Sequence, residues 1–453
     1  TLTLNSTNTT TISAAIGSGT DITSLITDSG GTTVISADIT STGNQTYNDN
    51  VSLTTDVTLT GGSQLTFAGT VNSSATDETT DADALSTSFT ETAFEGEVGG
   101  TYGLGVIIIT GALDLDAAIT SASSLSVSTT SNLAADVTTS GAQQYDGAVT
   151  LSADNTLTTT TDSNATFGST IDSDDASTKR DLTLTLGSGS ASVTGIVGAT
   201  SLDVLTLNSS SSFTAAVTAT SIVNAASKTA TFSDNVTANI TNSGTLLFDT
   251  SADKSVTGTI AEPGGGATGT EIKVIDSADG APATVTFTAT VAADTLTVGT
   301  SSKAGAALFE DDVTVPTINI TGGDVDAEDS TVTFNTAVTS SSGITLDDNT
   351  GDAKVIFDQN NTVNIASTID GGADNEGTIQ VTGATKTFTS AIGGTYDVGT
   401  LDIDNTSIFN EAISATNINV ASGITATAKK AITATAIVLD GGTLELSTTT
   451  TAT

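Results

Sequence analysis

Along VSLTTDVTLT the apolar residues Val51, Leu53, Val57 and Leu59 alternate with polar ones, with one break of phase between Leu53 and Val57. Alternation predicts short strands with one buried face, and the break predicts a corner between two of them. A five-residue motif carries the same grammar through the chain: a large apolar residue, three mostly small or polar residues, then Val or Ile. Phenylalanine leads it at Phe67, Phe94, Phe167, Phe213, Phe232, Phe287, Phe309, Phe334, Phe388 and Phe409, and tyrosine leads it at Tyr47 and Tyr145. Aliphatic versions begin at Ile12, Ile35, Leu115, Leu133 and Val256. The large residue is expected to point inward at the end of one strand. The small residues turn a corner, and the Val or Ile points inward at the start of the next strand.

Many successive copies lie about 19 to 27 residues apart, the period of a β-solenoid coil. Pairing the backbone coil on coil would set Phe over Phe and Val over Val, with Thr and Ser in rows outside. The fold class expected is all-β, a parallel β-helix (β-solenoid) of about 20 coils with no helices of note. A string of β-sandwich domains is the competing arrangement, but it needs no apolar corner at so regular a spacing. The segment AEPGGGATGTEIKVIDSADGAP, with two prolines and three consecutive glycines, breaks the period. It is read as a loop excursion or boundary over 261–285. A solenoid half 1–260 would precede it and a half 286–453 would follow, unless one continuous solenoid runs through.

Two stretches repeat one another at an offset of 98 residues: TGNQTYNDNVSLTTDVTLT from Thr42 and SGAQQYDGAVTLSADNTLT from Ser140, identical at nine of nineteen positions. A glycine-turn segment, AIGSGTDITSLITDSGGTTVISADI, precedes the first, and a Phe corner follows each at Phe67 or Phe167. The glycine element returns as EVGGTYGLGVIIITG from Glu97, IVGATSLDVLTLNSS from Ile196 and AIGGTYDVGTLDIDN from Ala391. In this order of elements the chain resembles the haemagglutinin-type repeats of very large bacterial surface proteins, of the filamentous-haemagglutinin and autotransporter-passenger type. The resemblance covers about two thirds of the chain, less clearly between residues 255 and 385. It implies a right-handed parallel β-helix at a cell surface.

Composition narrows the function. Among 453 residues, 51 acids face 10 bases, for a formal net charge of −41. Such a field repels nucleic acid and anionic lipid, and neither is an expected partner. With 36% hydrophobic residues in alternating runs, the chain is not the acidic, apolar-poor kind that stays disordered. Cysteine, histidine, methionine and tryptophan are absent, which removes disulfides, thiolate metal sites and Cys or His catalysis. No apolar run approaches the ~20 residues of a spanning helix, so membrane insertion is not expected. The chain opens at Thr1 without methionine, as expected of a mature form or a segment of a larger product. An extracellular or cell-surface location is expected.

The remaining enzymatic chemistry is that of carboxylates, as in glycoside hydrolysis. Acids are scattered everywhere, no pair stands out, and no enzyme is expected. Ca²⁺ is the one expected ligand, because hard oxygen donors on glycine turns suit it. The candidates are Asp347, Asn349 and Asp352 in LDDNTGDAK, and Asp370, Asp374 and Glu376 in DGGADNEG. Asp324, Asp326 and Glu328 would line one strand face. None of these completes an EF-hand.

Every Lys and Arg lies at or after Lys179, and Lys429 and Lys430 sit near the C-terminus. A basic end can meet an acidic end of another copy head to tail, which makes open filaments. TLTLNSTNTTTI at the start and GGTLELSTTTTAT at the finish both read as strands, and uncovered strand edges pair with other chains. The expected function is an extracellular structural protein whose partners are other copies of itself, assembled head-to-tail into a filament, sheath or surface layer. A monomeric adhesin passenger binding a cell surface is the alternative, and a phage fibre or tailspike a further one.

Overall fold

The structure is a computed structural model describing residues 1–74, 82–263, 269–278, 280–325, 328–359 and 363–447. Among the described residues there are strands, turns and bends, and no helix. The chain divides into two compact units, Thr1–Ile222 and Val223–Thr453. Each is a parallel β-solenoid, and together they make about 19 turns.

In the first unit three ladders of short parallel strands surround the core. One runs from Leu2–Leu4 through Leu25–Thr27, Gln45–Tyr47 and Gln64–Phe67 to Ile171–Ser173. A second begins with Thr9–Ile12, Thr32–Ile35, Asn50–Leu53 and Val71–Asn72. A third includes Val57–Thr60, Leu85–Ser88, Leu104–Ile109, Gln143–Tyr145 and Ala165–Phe167. The strands are short because every few residues the motif turns a corner. Tyr47 ends one strand and Val51 is the first buried residue of its neighbour, Asn50–Leu53, on the next ladder; Leu53 and Val57 flank the following corner. Turn length in this unit varies from 17 residues, Ala122 to Thr139, to 28, Val57 to Leu85.

Equivalent copies stack as expected over runs of turns, but the variation in turn length ends each run. Phe67, Phe94, Leu115 and Leu133 lie successively in register with Tyr47. Tyr145 falls instead in register with Val127 and Phe167, on the third ladder. The two related stretches therefore occupy different sides of the solenoid. The motif is a corner module that serves on any side, and its recurrence in sequence does not fix the ladder.

The glycine element is a second module. Val98 and Leu104 pair with Ile119 and Ala122, so six residues span what three span one turn later, and the intervening GGTYG bulges out. Ile392 and Val398 span six residues against the two from Ile413 to Ala415. Gly99 has φ +73°, and a Cβ there would stand 2.0 Å from the Ser121 carbonyl oxygen. Gly393, at φ +66°, makes the same 2.0 Å approach to Ser414. Only glycine meets both demands.

In the second unit Phe232 is in register with Phe248. Phe287, Phe309, Phe334 and Phe357 form a column on the next ladder. Phe388 and Phe409 form another on a separate five-strand ladder that starts at Val363–Ile365. Rings in one column lie nearly parallel, with centroids 4.8 to 6.0 Å apart. All twelve Phe and Tyr leaders of the motif are at most 1% exposed. The segment 261–285 contains the strand Glu271–Ile275, paired on both edges with Thr245–Asp249 and Thr295–Val298. It is thus no continuous loop; residues 264–268 and 279 lie outside the described residues.

Candidate functional site

A buried polar device accompanies the corner. Gln45 and Gln143 stand two residues before their tyrosines, and all four side chains are 0% exposed. Gln45 Nε2 donates to the carbonyl oxygens of Ile39 (3.3 Å) and Thr60 (3.0 Å), and Tyr47 Oη donates to Gln45 Oε1 at 2.9 Å. Gln143 Nε2 repeats this toward Val137 (3.2 Å) and Thr158 (2.9 Å), and Tyr145 Oη donates to Gln143 Oε1 at 3.2 Å. Burial pushes both phenols above their ordinary pKa, helped at Tyr47 by the charge of Asp49. Lys386, two residues before Phe388, occupies the analogous place. It is 0% exposed, and its Nζ donates to the carbonyl oxygens of Gln359 (2.7 Å), Thr382 (3.0 Å) and Ala384. Burial lowers its pKa to about 8, opposed by the charge of Asp358. These groups satisfy corner carbonyls and are structural.

The acid excess has a structural use too. At corner after corner an aspartate accepts a backbone N–H from the next turn. Examples are Asp38 from Thr58 (2.7 Å), Asp136 from Thr156 (2.7 Å) and Asp172 from Thr200 (2.9 Å). Asn44, Asn50 and Asn235 do the same. A charged acceptor strengthens such a bond. Sequence reasoning missed this role, because the N–H lies a whole turn away.

The three stretches singled out for calcium come together. The loops after Thr317–Thr321, Gly343–Asp347 and Ile369–Gly371 occupy one corner of three successive turns, since the flanking strands pair turn to turn. Gly351 N and Asn349 Nδ2 donate to Gly323 O at 3.0 and 3.1 Å. Asp370 accepts from Thr395 N (3.0 Å), Asp374 from Asp397 N (3.4 Å) and Glu376 from Ala373 N (2.7 Å). Glu376 is held above the usual carboxylate range by burial, and the charges of Asp347 and Asp348 add to this. Asp324, Asp347 and Asp352 are exposed. Asp324 and Glu328 lie in the loop before Ser330–Phe334, not along a strand face as expected, and Asp326 lies outside the described residues. Among the described residues no three carboxylates stand close enough to hold a metal ion. Glu328 differs from the rest: it is 1% exposed, and neither carboxylate oxygen has a hydrogen-bond partner.

The last described turn is the other distinctive surface. Ile432–Leu439 pairs with Ile413–Val420, and Thr443–Leu446 with Thr425–Ala428; among the described residues neither pairs on its far edge. Ile418, Val420 and Ala428 are at most 1% exposed. Their partners one turn on, Ile437, Leu439 and Leu446, are 46%, 48% and 63% exposed. Lys429 and Lys430 are exposed at the corner leading into this turn. The chain matches no family model, no curated protein and no solved structure.

Proposed function

We propose that the chain is an extracellular structural protein, akin to haemagglutinin-type bacterial surface repeats, that assembles end to end into a filament, sheath or surface layer. What supports this reading is the stacking itself: turn after turn buries its columns by edge-to-edge parallel pairing, and among the described residues the turn 432–446 has such a partner on one side. Ile437, Leu439 and Leu446 occupy positions that the preceding turn buries, beside an open parallel strand edge. A first turn of a second copy, laid on in the same parallel sense, would bury those side chains and continue the ladders. Among the described residues Leu2–Leu4 pairs with Leu25–Thr27 alone. A contact between unlike surfaces of two copies is head-to-tail and need not close on itself. Lys429 and Lys430 would face the acidic, base-free beginning of the next copy, and salt would weaken that attraction.

The test is sedimentation of the purified protein across a wide concentration range, with and without the first dozen residues. Reversible, concentration-dependent polymers that vanish on truncation support the reading. Polymers that survive truncation would sink a contact made through the first turn. A monodisperse particle at every concentration favours the adhesin-passenger alternative.

A further inference from the structure

Four carboxylates are buried among the described residues: Asp49, Asp83, Asp276 and Glu328. Asp49 accepts from the hydroxyls of Thr27 (2.7 Å) and Thr33 (3.0 Å). Asp83 accepts from Ser73 Oγ (2.6 Å) and Ser74 N (3.3 Å), and Asp276 from Ala278 N (2.8 Å) and Ala283 N (2.9 Å). The Glu328 carboxylate accepts nothing. A charged carboxylate out of water and without donors is costly, and it is relieved by a proton or by a cation.

The surroundings favour a cation. Loops rich in acids stack on this corner in the next two turns, so the local potential is negative. The backbone also gives way to the carboxylate. A Cβ on Gly323 would lie 2.3 Å from Glu328 Oε2, and one on Gly351 would lie 2.2 Å from Glu328 O. Glycine at both positions leaves the room, and Asn349 ties the two loops together through Gly323 O.

We propose that Glu328 anchors a Ca²⁺ site at this corner, binding with its carboxylate while loop carbonyls and water complete an oxygen shell. Calcium fits better than magnesium, which demands a tighter octahedron, and the absence of Cys and His argues against zinc. Of the nine residues whose spacing suggested calcium, the structure selects this one, because its oxygens are both buried and unspent. The site does not depend on end-to-end assembly.

The test is calorimetric titration of the EDTA-stripped full chain with CaCl₂, beside Glu328→Gln. One saturable site per chain, weakened at least tenfold in E328Q, is expected. Hydrogen exchange of the wild type should also show calcium-dependent protection at Gly322, Gly323 and Gly351. No saturable site at millimolar calcium would overturn the proposal. Binding that is equally tight in E328Q would assign the ion to other carboxylates and overturn it too. If E328Q does not fold, the exchange data decide: protection confined to other corners contradicts the proposal.

Discussion

The rings of Phe248 and Phe287 meet edge to face, with centroids 5.3 Å apart and planes at 88°. They belong to different ladders: Phe248 is in register with Phe232 and Val274, and Phe287 with Val256 and Phe309. Phe357 and Phe388 repeat the crossing at 5.6 Å and 85°. Between the crossings Phe287 lies flat on Phe309 at 4.8 Å and 8°, and Phe309 on Phe334 at 5.4 Å and 20°. The aromatic spine of the second unit thus changes ladder twice, and each change shows as a turned ring.

Phe309, stacked on both sides, should be the costly position. Phe309→Ala is expected to destabilise its turn by about 3–5 kcal/mol, and Phe309→Leu, which keeps more of the volume, by about 1.5 kcal/mol or less. Solenoids open turn by turn, so the measurement is amide exchange in Thr284–Phe287, Ala306–Phe309 and Ser330–Phe334. Equal protection in wild type and Phe309→Ala would contradict the packing argument.

If the Gln-x-Tyr corner is a portable module, its energetics should not depend on the ladder that hosts it. Tyr47→Phe and Tyr145→Phe each leave a buried amide oxygen unpaired, at a cost of about 1–3 kcal/mol. The two values should agree within about 0.5 kcal/mol, the scatter of independent sites. Urea denaturation of both variants checks this, and a large disparity would mean that the surrounding ladder sets the cost.

The aspartate staples predict a distinction between charge and acceptor. Asp136→Asn keeps an oxygen for the Thr156 N–H and should be nearly neutral. Asp136→Ala removes the acceptor and should cost about 1 kcal/mol. Combining Asp38→Asn with Asp136→Asn also lowers the negative charge, so at low salt the double variant should melt no lower than wild type. Thermal melts at two ionic strengths read both effects.

Lys386 gives a pH signature. Its pKa in the folded chain is about 8, against an ordinary 10.5. Between these values the unfolded chain binds more protons, so the stability contributed by this residue rises with pH across that window. It is fully present above pH 10.5 and lost as pH falls through about 8. The stability difference between wild type and Lys386→Met should therefore shift in favour of wild type from about pH 8 to about pH 10. Urea midpoints at the two pH values measure it, and a difference that stays constant would contradict a buried, titrating lysine.

The architecture was legible because alternation and the apolar corner are local properties of the chain. The placement of each corner was not, because turns of 17 to 28 residues in the first unit let Tyr47 and Tyr145 land on different ladders. Phe248 and Phe357 escaped the motif because Ala252 and Asn361 stand where Val or Ile would follow. The alternation in TLLFD and KVIFD was the signal available. The acids were harder still. Asp370 and Asp374 read as candidate ligands by spacing, yet their partners are backbone N–H groups about one turn away. The loop position of Glu328, and its lack of any donor, exist only once the turns are stacked.

Electron microscopy of the purified chain beside the double variant Ile437→Asp, Leu439→Asp tests end-to-end assembly most directly. Both substitutions put charge on side chains exposed in the last described turn and leave the buried turns untouched. The account predicts regular filaments from the wild type, with an axial repeat of one chain, and dispersed single particles from the variant. Single particles from both, or filaments undisturbed by the two charges, would contradict it.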